Sequence, residues 1–408
     1  MTANVLRWTA AACCGLVLAL APLAQAATKK KKYPPGVTDA EITIGQTMPY
    51  SGPLSAYATI GKADAAYITM VNAQGGVNGR KIRLISLDDG YSPPKTVEQM
   101  RKLVEEDHVL LDFNSLGTPT NTAIERYLNQ HNVPQLFIAT GATKWGDPKH
   151  FPWTMGWQPT YQAEGRIFAK YLLENKPDAK IGALYQDDDY GRDYLKGLKD
   201  GLGDKAATMI VKEETYEAID PTIDSQIISL QASGANVFYD VTTPKFAAQA
   251  ISKAAELEWK PLHYLNTVSA SVAAVLKPAG LDRSRGIVTA EYLKDPTDPQ
   301  WQNDPAYKAW LAWMNMYYPG GDKSDGFNVY GYAVTATLVQ VLKQCGNDLS
   351  RKNVMAQAAH LNFDAPMLLP SIRVETGPDD FFPIKGMQLA KFDGKTFVRF
   401  GPAMAMSR

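Results

Sequence analysis

From residue 41 onward, short apolar runs alternate with longer segments whose apolar residues recur at helical spacing. The run EITIGQTM (41–48) is followed by a helix-like segment over 56–73, and KIRLISLD (81–88) comes next. Neighbouring parallel strands cannot be joined by a tight turn, so strands separated by helices indicate a parallel sheet. The sequence therefore predicts an α/β fold whose sheet is covered on both faces by right-handed crossovers.

The same alternation occurs a second time. After FPWTMGWQPT (151–160), a helix-like segment and further strand-like runs continue as far as residue 266. The order then loosens from about residue 286, and what remains is too short for a third unit of this type. We therefore predict two doubly wound, parallel-sheet lobes of similar size, with the last part of the chain crossing back to complete both.

The first 26 residues have the layout of an export signal. Arg7 supplies a basic start, residues 9–23 form an apolar core, and residues 24–26 supply a small-x-small cleavage pattern. We predict cleavage near Ala26 and a periplasmic protein. The lysine-rich residues 27–37 that follow are predicted to be a flexible tether.

Composition excludes several classes of function. Lys+Arg and Asp+Glu number 42 each, so the charge balance does not favour nucleic acid as a partner. Removal of the signal leaves Cys345 as the remaining cysteine, so no internal disulfide is expected. The histidines show no metal-ligand spacing and no G-x-S-x-G motif occurs, so we expect no enzyme activity, no metal and no cofactor.

The turns that follow the predicted strands are the places to look for a ligand site. In an open parallel sheet, ligands collect outside the carboxyl ends of the strands, where helix N-termini and free N–H groups point. Small polar residues fill these turns, as in PYSGPLSAY, NSLGTPTN and ATGATKWG in the first lobe and QDDDYGRDY and LNTVSAS in the second. Each turn taken singly is also explained by helix capping.

Several motifs in order resemble one known family. They are ITIGQTMPYSGPLSAYATIG, VNAQGGVNGRKIRLISLDDGYSPPKTVEQMRKLV, NVPQLFIATGATKW, IGALYQDDDYGRDYLKGLKDGL and NVYGYAVTATLVQVL. Together they span roughly residues 38–403 and are similar to the type I periplasmic solute-binding proteins of the leucine/isoleucine/valine-binding class, which serve ABC transporters.

This resemblance implies two lobes that are joined by three crossings and close on a ligand between them. It also implies a monomer whose partners are a small ligand and the permease of an ABC transporter. The permease would recognise the closed form of the protein. The expected lobes are 38–157 with 288–362, and 158–287 with 363–403.

The resemblance also implies which residues of this sequence contact the ligand. Tyr57 matches an aromatic wall residue of the first lobe, and Tyr190 matches the aromatic residue that closes from the second. Three further positions match family residues that donate hydrogen bonds to the carboxylate of the ligand: Ser115, Gly141 and Thr143. A buried carboxylate needs several fixed donors of this kind. Further candidates at the edge of the second lobe are Tyr239 and Asn266.

One difference from the family pattern leaves the chemical class of the ligand undecided. Amino-acid binders of this class place an acid in the second lobe to pair with the ammonium group, yet no acid occurs between Trp259 and Gly280. Asp240 is a possible substitute. Burying an ammonium group without an acid is costly, so the expected ligand is either a branched-chain or other hydrophobic amino acid, or an aromatic or aliphatic acid without an amino group.

Two functions are alternatives to transport. One is a sensor that binds a small amide or acid and signals to a partner protein, and such a sensor would lack the export signal. The other is the ligand-binding part of a signalling receptor, which would continue into a transmembrane helix.

Overall fold

The computed structural model describes residues 33–405, and the predicted signal peptide therefore lies outside the described residues. Residues 33–156 form five strands and three α-helices. They are β1 (Glu41–Met48), α1 (Ala58–Ala73), β2 (Lys81–Asp88), α2 (Pro93–Arg101), β3 (Asp112–Phe113), α3 (Thr118–Gln130), β4 (Gln135–Ile138) and β5 (Thr154–Gly156).

These strands form one parallel sheet in the order β2-β1-β3-β4-β5. Pairing between β1 and β2 is unbroken from Glu41 opposite Lys81 to Met48 opposite Asp88. After its first residue β1 is buried throughout, as expected for a strand with helices on both faces. The predicted parallel α/β architecture is confirmed for this sheet.

The rest of the described chain builds a second sheet and the helices around both. The elements are α4 (Tyr161–Asn175), β6 (Ile181–Gln186), α5 (Asp189–Leu202), α6 (Ala206–Met209), β7 (Ile210–Tyr216), α7 (Asp224–Ala232), β8 (Val237–Val241), α8 (Pro244–Glu256), β9 (Leu262–Leu265), α9 (Lys277–Ala279), β10 (Val288–Glu291), α10 (Pro305–Tyr317), α11 (Gly326–Cys345), α12 (Arg351–Ala358), β11 (Asn362–Phe363), β12 (Val374–Glu375), β13 (Gly386–Phe392), β14 (Phe397–Arg399) and β15 (Met404–Ala405).

The second sheet has the order β14-β13-β10-β9-β8-β6-β7, with β15 paired to β13. Strands β6 to β10 are parallel, whereas β13 runs antiparallel to β10 and forms a hairpin with β14. Asp393 and Gly394 lie in the turn of this hairpin, where the backbone nitrogen of Asp393 donates to the carbonyl oxygen of Thr396 at 3.1 Å. The hairpin closes the edge of the sheet with strands that need no crossover helix.

The chain passes between the two sheets more than once. It leaves the first sheet after β5 and enters the second at β6, then leaves the second after β10 to form α10 and α11, which pack against α1. It returns through β11 and β12 to β13. The last third of the chain therefore contributes to both parts, as the loosened pattern after residue 286 predicted.

Some boundaries differ from the sequence-based expectation. The prediction placed residues from 288 onward in the first lobe, but β10 (Val288–Glu291) pairs with β9 and β13 and belongs to the second sheet. The described end of the predicted tether also packs, because Val37 is buried and bridges to Ile42. Short β5, bounded by aromatic residues, and helix α12 carried too weak a periodicity to be predicted.

Two features of the last third are core structure. Trp310 and Trp313 on α10 are buried, so the aromatic face of this helix is packing surface. Cys345 is a free, buried thiol at the end of α11. No helix within residues 33–405 is both long enough and apolar enough to cross a membrane.

Helices α4 and α5 pack at backbone contact, and glycines make this possible. A Cβ atom added at Gly197 would lie 2.2 Å from the carbonyl oxygen of Gln162 on α4. One added at Gly165 would lie 2.6 Å from the backbone nitrogen of Leu198. Because α5 follows β6 directly, this contact fixes where the N-terminus of α5 lies at the carboxyl edge of the second sheet.

We expect Gly197→Ala to lower the free energy of unfolding by about 1–3 kcal/mol, because the added methyl group forces the two helices apart. Urea unfolding at neutral pH measures this change. Gly320→Ala is the matched control, since a Cβ atom at Gly320 meets no atom within 4 Å. Equal stability of the two variants would contradict the close helix contact.

Candidate functional site

A cavity of about 1010 Å³, including its mouth, lies where the carboxyl ends of strands from both sheets meet. Its wall takes residues from the turns after β3 and β4, from the loop after β9, and from the segment after β10. Aliphatic and polar residues line it together with six tyrosines and one phenylalanine: Tyr57, Tyr91, Tyr161, Tyr190, Tyr292, Tyr330 and Phe327. The site is therefore rich in aromatic side chains.

Tyr57 spans the cavity from the first-sheet side. It lies in the short helical turn that follows β1 and begins α1, and its hydroxyl donates to the carbonyl oxygen of Val268 at 3.0 Å. Val268 belongs to the loop after β9 in the second sheet. The Tyr57 ring also contacts Phe327, with ring centroids 5.1 Å apart. This side chain thus joins both sides of the cavity while forming part of its wall.

Tyr190 lines the cavity from the second-sheet side. Asp188 caps α5 by accepting hydrogen bonds from the backbone nitrogens of Tyr190 and Gly191, which places Tyr190 in the first turn. The hydroxyl of Tyr190 donates to Oδ1 of Asn266 at 3.3 Å. The acids of the DDDYGRD motif therefore act at a helix N-terminus, where negative charge is stabilising.

Tyr239 and Asn266 lie behind the wall. Asn266 donates through Nδ2 to the carbonyl oxygens of Asp240 at 3.1 Å and Thr242 at 2.9 Å. The Tyr239 ring is fully buried, and its hydroxyl donates to the carbonyl oxygen of Tyr194 at 3.3 Å. Neither residue lines the cavity in this structure. Asn266 instead holds the neighbouring strand ends in position.

The three predicted carboxylate donors are also outside the cavity wall. Ser115 accepts from the backbone nitrogen of Thr47 at 2.8 Å and donates to Oδ1 of Asp112 at 2.5 Å. Gly141 packs so closely that an added Cβ atom would lie 2.5 Å from the carbonyl oxygen of Pro159. In the described structure these positions serve the protein's own hydrogen bonding and packing.

Thr143 is engaged by an acid from α5. Its backbone nitrogen and its Oγ1 each donate to Oδ2 of Asp193 at 2.8 Å. Next to it, Nζ of Lys144 lies 3.1 Å from Glu125 and 3.8 Å from Asp189. Thr143 borders a second, shallower depression rather than the aromatic cavity. The turn after β4 is thus attached to the start of α5 by side-chain contacts.

Glu164 on α4 positions the cavity-lining loop after β9. Its carboxylate accepts from the hydroxyls of Tyr194 at 2.6 Å and Tyr264 at 2.9 Å, and from the backbone nitrogen of Thr267 at 2.8 Å. Burial raises the pKa of Glu164 to about 7, although these hydrogen bonds act in the opposite direction. The loop that carries Val268 is therefore held by a buried carboxyl group.

The sequence suggested Asp240 as the acid that could pair with an ammonium group of the ligand, but the structure places a different acid in the cavity wall. Asp240 is buried and accepts from Oγ1 of Thr242 at 2.6 Å, and it lies 3.0 Å from Nε2 of His263. It does not line the cavity. Glu291, the last residue of β10, does line it. The signal available in the sequence was a carboxyl residue within the apolar run GIVTAEYL (286–293).

Comparison with known proteins shows which family has this architecture. The chain matches the periplasmic binding protein family over residues 41–396. It is similar to Leu/Ile/Val-binding protein homolog 1 of Brucella abortus, with 25% identity over 321 residues, which cover 76% of this chain and 80% of that protein.

Solved structures agree with this placement. A branched chain amino acid ABC transporter protein from Thermus thermophilus with bound valine gives a TM-score of 0.80 at 16% identity, covering 91% of this chain and 98% of that one. An ABC transporter solute binding protein from Rhodopseudomonas palustris, in complex with 3,4-dihydroxybenzoic acid, gives 0.75 at 18% identity, covering 90% and 98%. At these identities the likeness shows the fold.

A parallel sheet and a mainly parallel sheet whose strand ends enclose one cavity rich in aromatic residues define a two-sheet α/β ligand-binding protein. The chain belongs to the periplasmic binding protein family, with the type I fold of its Leu/Ile/Val-binding class. Members of this family are substrate-binding proteins, and no catalytic family is indicated.

The raised pKa of Glu164 predicts a pH-dependent stability. The folded protein keeps a proton up to about pH 7 that the unfolded chain releases near the ordinary value of 4.5, so this contribution is complete at low pH and is lost as pH rises through about 7. We expect the stability difference between wild type and Glu164→Gln to change by up to about 3 kcal/mol between pH 5 and 8.

Urea unfolding at pH 5, 6, 7 and 8 measures that difference. Glu256→Gln, which changes an exposed carboxyl on α8, is the control and is expected to leave the wild-type pH profile in place. Parallel profiles for wild type and Glu164→Gln would show that Glu164 does not titrate in this range.

Proposed function

We propose that this chain is the periplasmic substrate-binding protein of an ABC uptake transporter and that it binds a small hydrophobic acid between two lobes that close. The observation that carries the proposal is the cavity itself. It lies at strand ends of both sheets, and the hydrogen bond from Tyr57 to Val268 crosses it. Export by the predicted signal peptide and delivery to a permease belong to the same proposal.

The chemistry of the wall supports a ligand with a flat or branched apolar body. Aromatic side chains supply large contact areas at low entropic cost. Hydroxyl groups of Tyr57, Tyr190 and Tyr330 are already used within the protein, the last toward Asn114 at 3.3 Å. The ligand therefore meets mostly the faces of these rings, and its polar groups must find partners elsewhere on the wall.

Both ligand classes predicted from the sequence remain candidates. The type I fold accommodates each, since one similar structure holds valine and another holds 3,4-dihydroxybenzoic acid. A branched-chain or other hydrophobic amino acid is the first candidate. An aromatic or aliphatic acid without an amino group is the alternative, and the cavity's aromatic wall suits it equally well.

A thermal-shift screen with branched-chain amino acids, aromatic acids and fatty acids tests this proposal. A ligand at 100 times its Kd adds about 2.7 kcal/mol to the stability of the native state, which raises the melting temperature by a few degrees. We expect at least one acid to produce such a shift. Failure of every acid in the screen, at millimolar concentration, would contradict the proposed ligand class.

For the acid that shifts the melt, we expect Tyr57→Ala to weaken binding at least about tenfold, because it removes both ring contact and the link to Val268. Tyr57→Phe keeps the ring, so its loss of affinity should be smaller. Isothermal titration calorimetry measures both. Unchanged affinity in Tyr57→Ala would place the ligand outside this cavity.

A further inference from the structure

Most polar groups of the cavity wall already have partners within the protein. Ser271 donates to Oδ1 of Asp325 at 2.9 Å, and Lys294 pairs with Asp304 at 2.7 Å. Asp295 accepts from Oγ1 of Thr396 at 2.8 Å, among other donors. These groups need nothing from a ligand, so they contribute little to its selection.

Gln158 is different. This residue lines the cavity and its side chain is 8% exposed, yet its Nε2 has no hydrogen-bond partner within residues 33–405. An amide nitrogen buried in this way offers two N–H donors. Leaving them unpaired is destabilising, so a protein keeps such a group where something else pairs with it.

Glu291 is the second unpaired group. The residue is partly exposed, and no hydrogen bond or ion pair to its carboxyl group is found among the residues that the structure describes. Burial raises its pKa well above the ordinary value; Asp295 and Asp298 raise it further, and Arg399 opposes them. Arg399 thus acts on the carboxyl group only through its charge, and no described residue of the cavity wall donates a hydrogen bond to it.

Both residues lie where the chain crosses between the sheets. Gln158 follows β5 on the way to the second sheet, and Glu291 ends β10 on the way back. Their chain neighbours Trp157 and Tyr292 touch edge to face, with ring centroids 6.0 Å apart and ring planes at 64°. The two crossings therefore run side by side and present an amide donor and a carboxyl acceptor to the same cavity.

We propose that Gln158 and Glu291 are the groups that select the ligand, with the ligand's carboxylate accepting from Gln158 and a separate donor on the ligand, an ammonium or hydroxyl group, pairing with Glu291. This rests on the proposed function. It narrows the ligand to hydrophobic acids that carry a second, hydrogen-bond-donating group. It also assigns the selection to the crossings rather than to Ser115 and Thr143, whose donors the protein already uses.

Two ligand pairs that differ by one donor test the proposal on the wild-type protein. Leucine is compared with 4-methylpentanoate, which lacks its ammonium group, and 4-hydroxybenzoate is compared with benzoate. In at least one pair we expect the member with the donor to bind at least about tenfold more tightly by calorimetry, the amount expected of a hydrogen bond to a charged group.

Methionine variants test the residues, because methionine has a similar length and no comparable polar group. Glu291→Met should remove the advantage of the donor-bearing member, bringing the pair within about threefold. Gln158→Met should weaken both members about tenfold. Neither change should lower the melting temperature of the empty protein, since each removes an unpaired group. The matched controls, Glu375→Met and Gln130→Met at exposed positions, should alter neither affinity nor selectivity.

Several results would overturn the inference. Equal affinity within both pairs on the wild type would do so while leaving the proposed function intact, as would an unchanged ratio in Glu291→Met. A lowered melting temperature in the empty methionine variants with affinity retained would show that the two side chains are structural. Binding of no member of either pair would count against both the inference and the proposed ligand class.

Discussion

Parallel strands need a crossover between every pair, and this constraint shapes the whole molecule. Each crossover returns the chain over a face of the sheet, so turns with polar groups gather at the carboxyl ends of the strands. Here the two sheets bring those ends to one cavity, where Tyr57 from one side meets Val268 from the other. The cavity is thus a consequence of topology, and its chemistry depends on which side chains the turns carry.

The position of the turns is held by buried polar groups. Glu164 gathers two tyrosine hydroxyls and the backbone nitrogen of Thr267, and Asn266 bridges two neighbouring strand ends. Buried networks whose polar groups are paired in this way rigidify the structure and specify its geometry. Against this background of satisfied groups, the unpaired amide of Gln158 and the unpaired carboxyl of Glu291 are exceptions at a functional site.

Much of the fold was predictable because its signal is local. The apolar run of β1 and the helical spacing of α1 gave their bounds almost to the residue, and Tyr57 and Tyr190 were found because they match aromatic positions of the family that the sequence resembles. Hydrogen-bond partners distant in sequence were not predictable. Thr143 is engaged by Asp193, fifty residues away, and nothing in the local pattern of either indicates this contact. Glu291 was missed because the acid was expected after β9, whereas it ends the next strand.

The most direct test of the central claim is a crystal structure of the protein with the acid that gives the largest thermal shift. The account predicts density for the ligand enclosed by Tyr57, Tyr190 and Phe327, in the cavity between the two sheets. Density for the ligand in the depression beside Thr143 and Asp193, with the aromatic cavity empty, would contradict it.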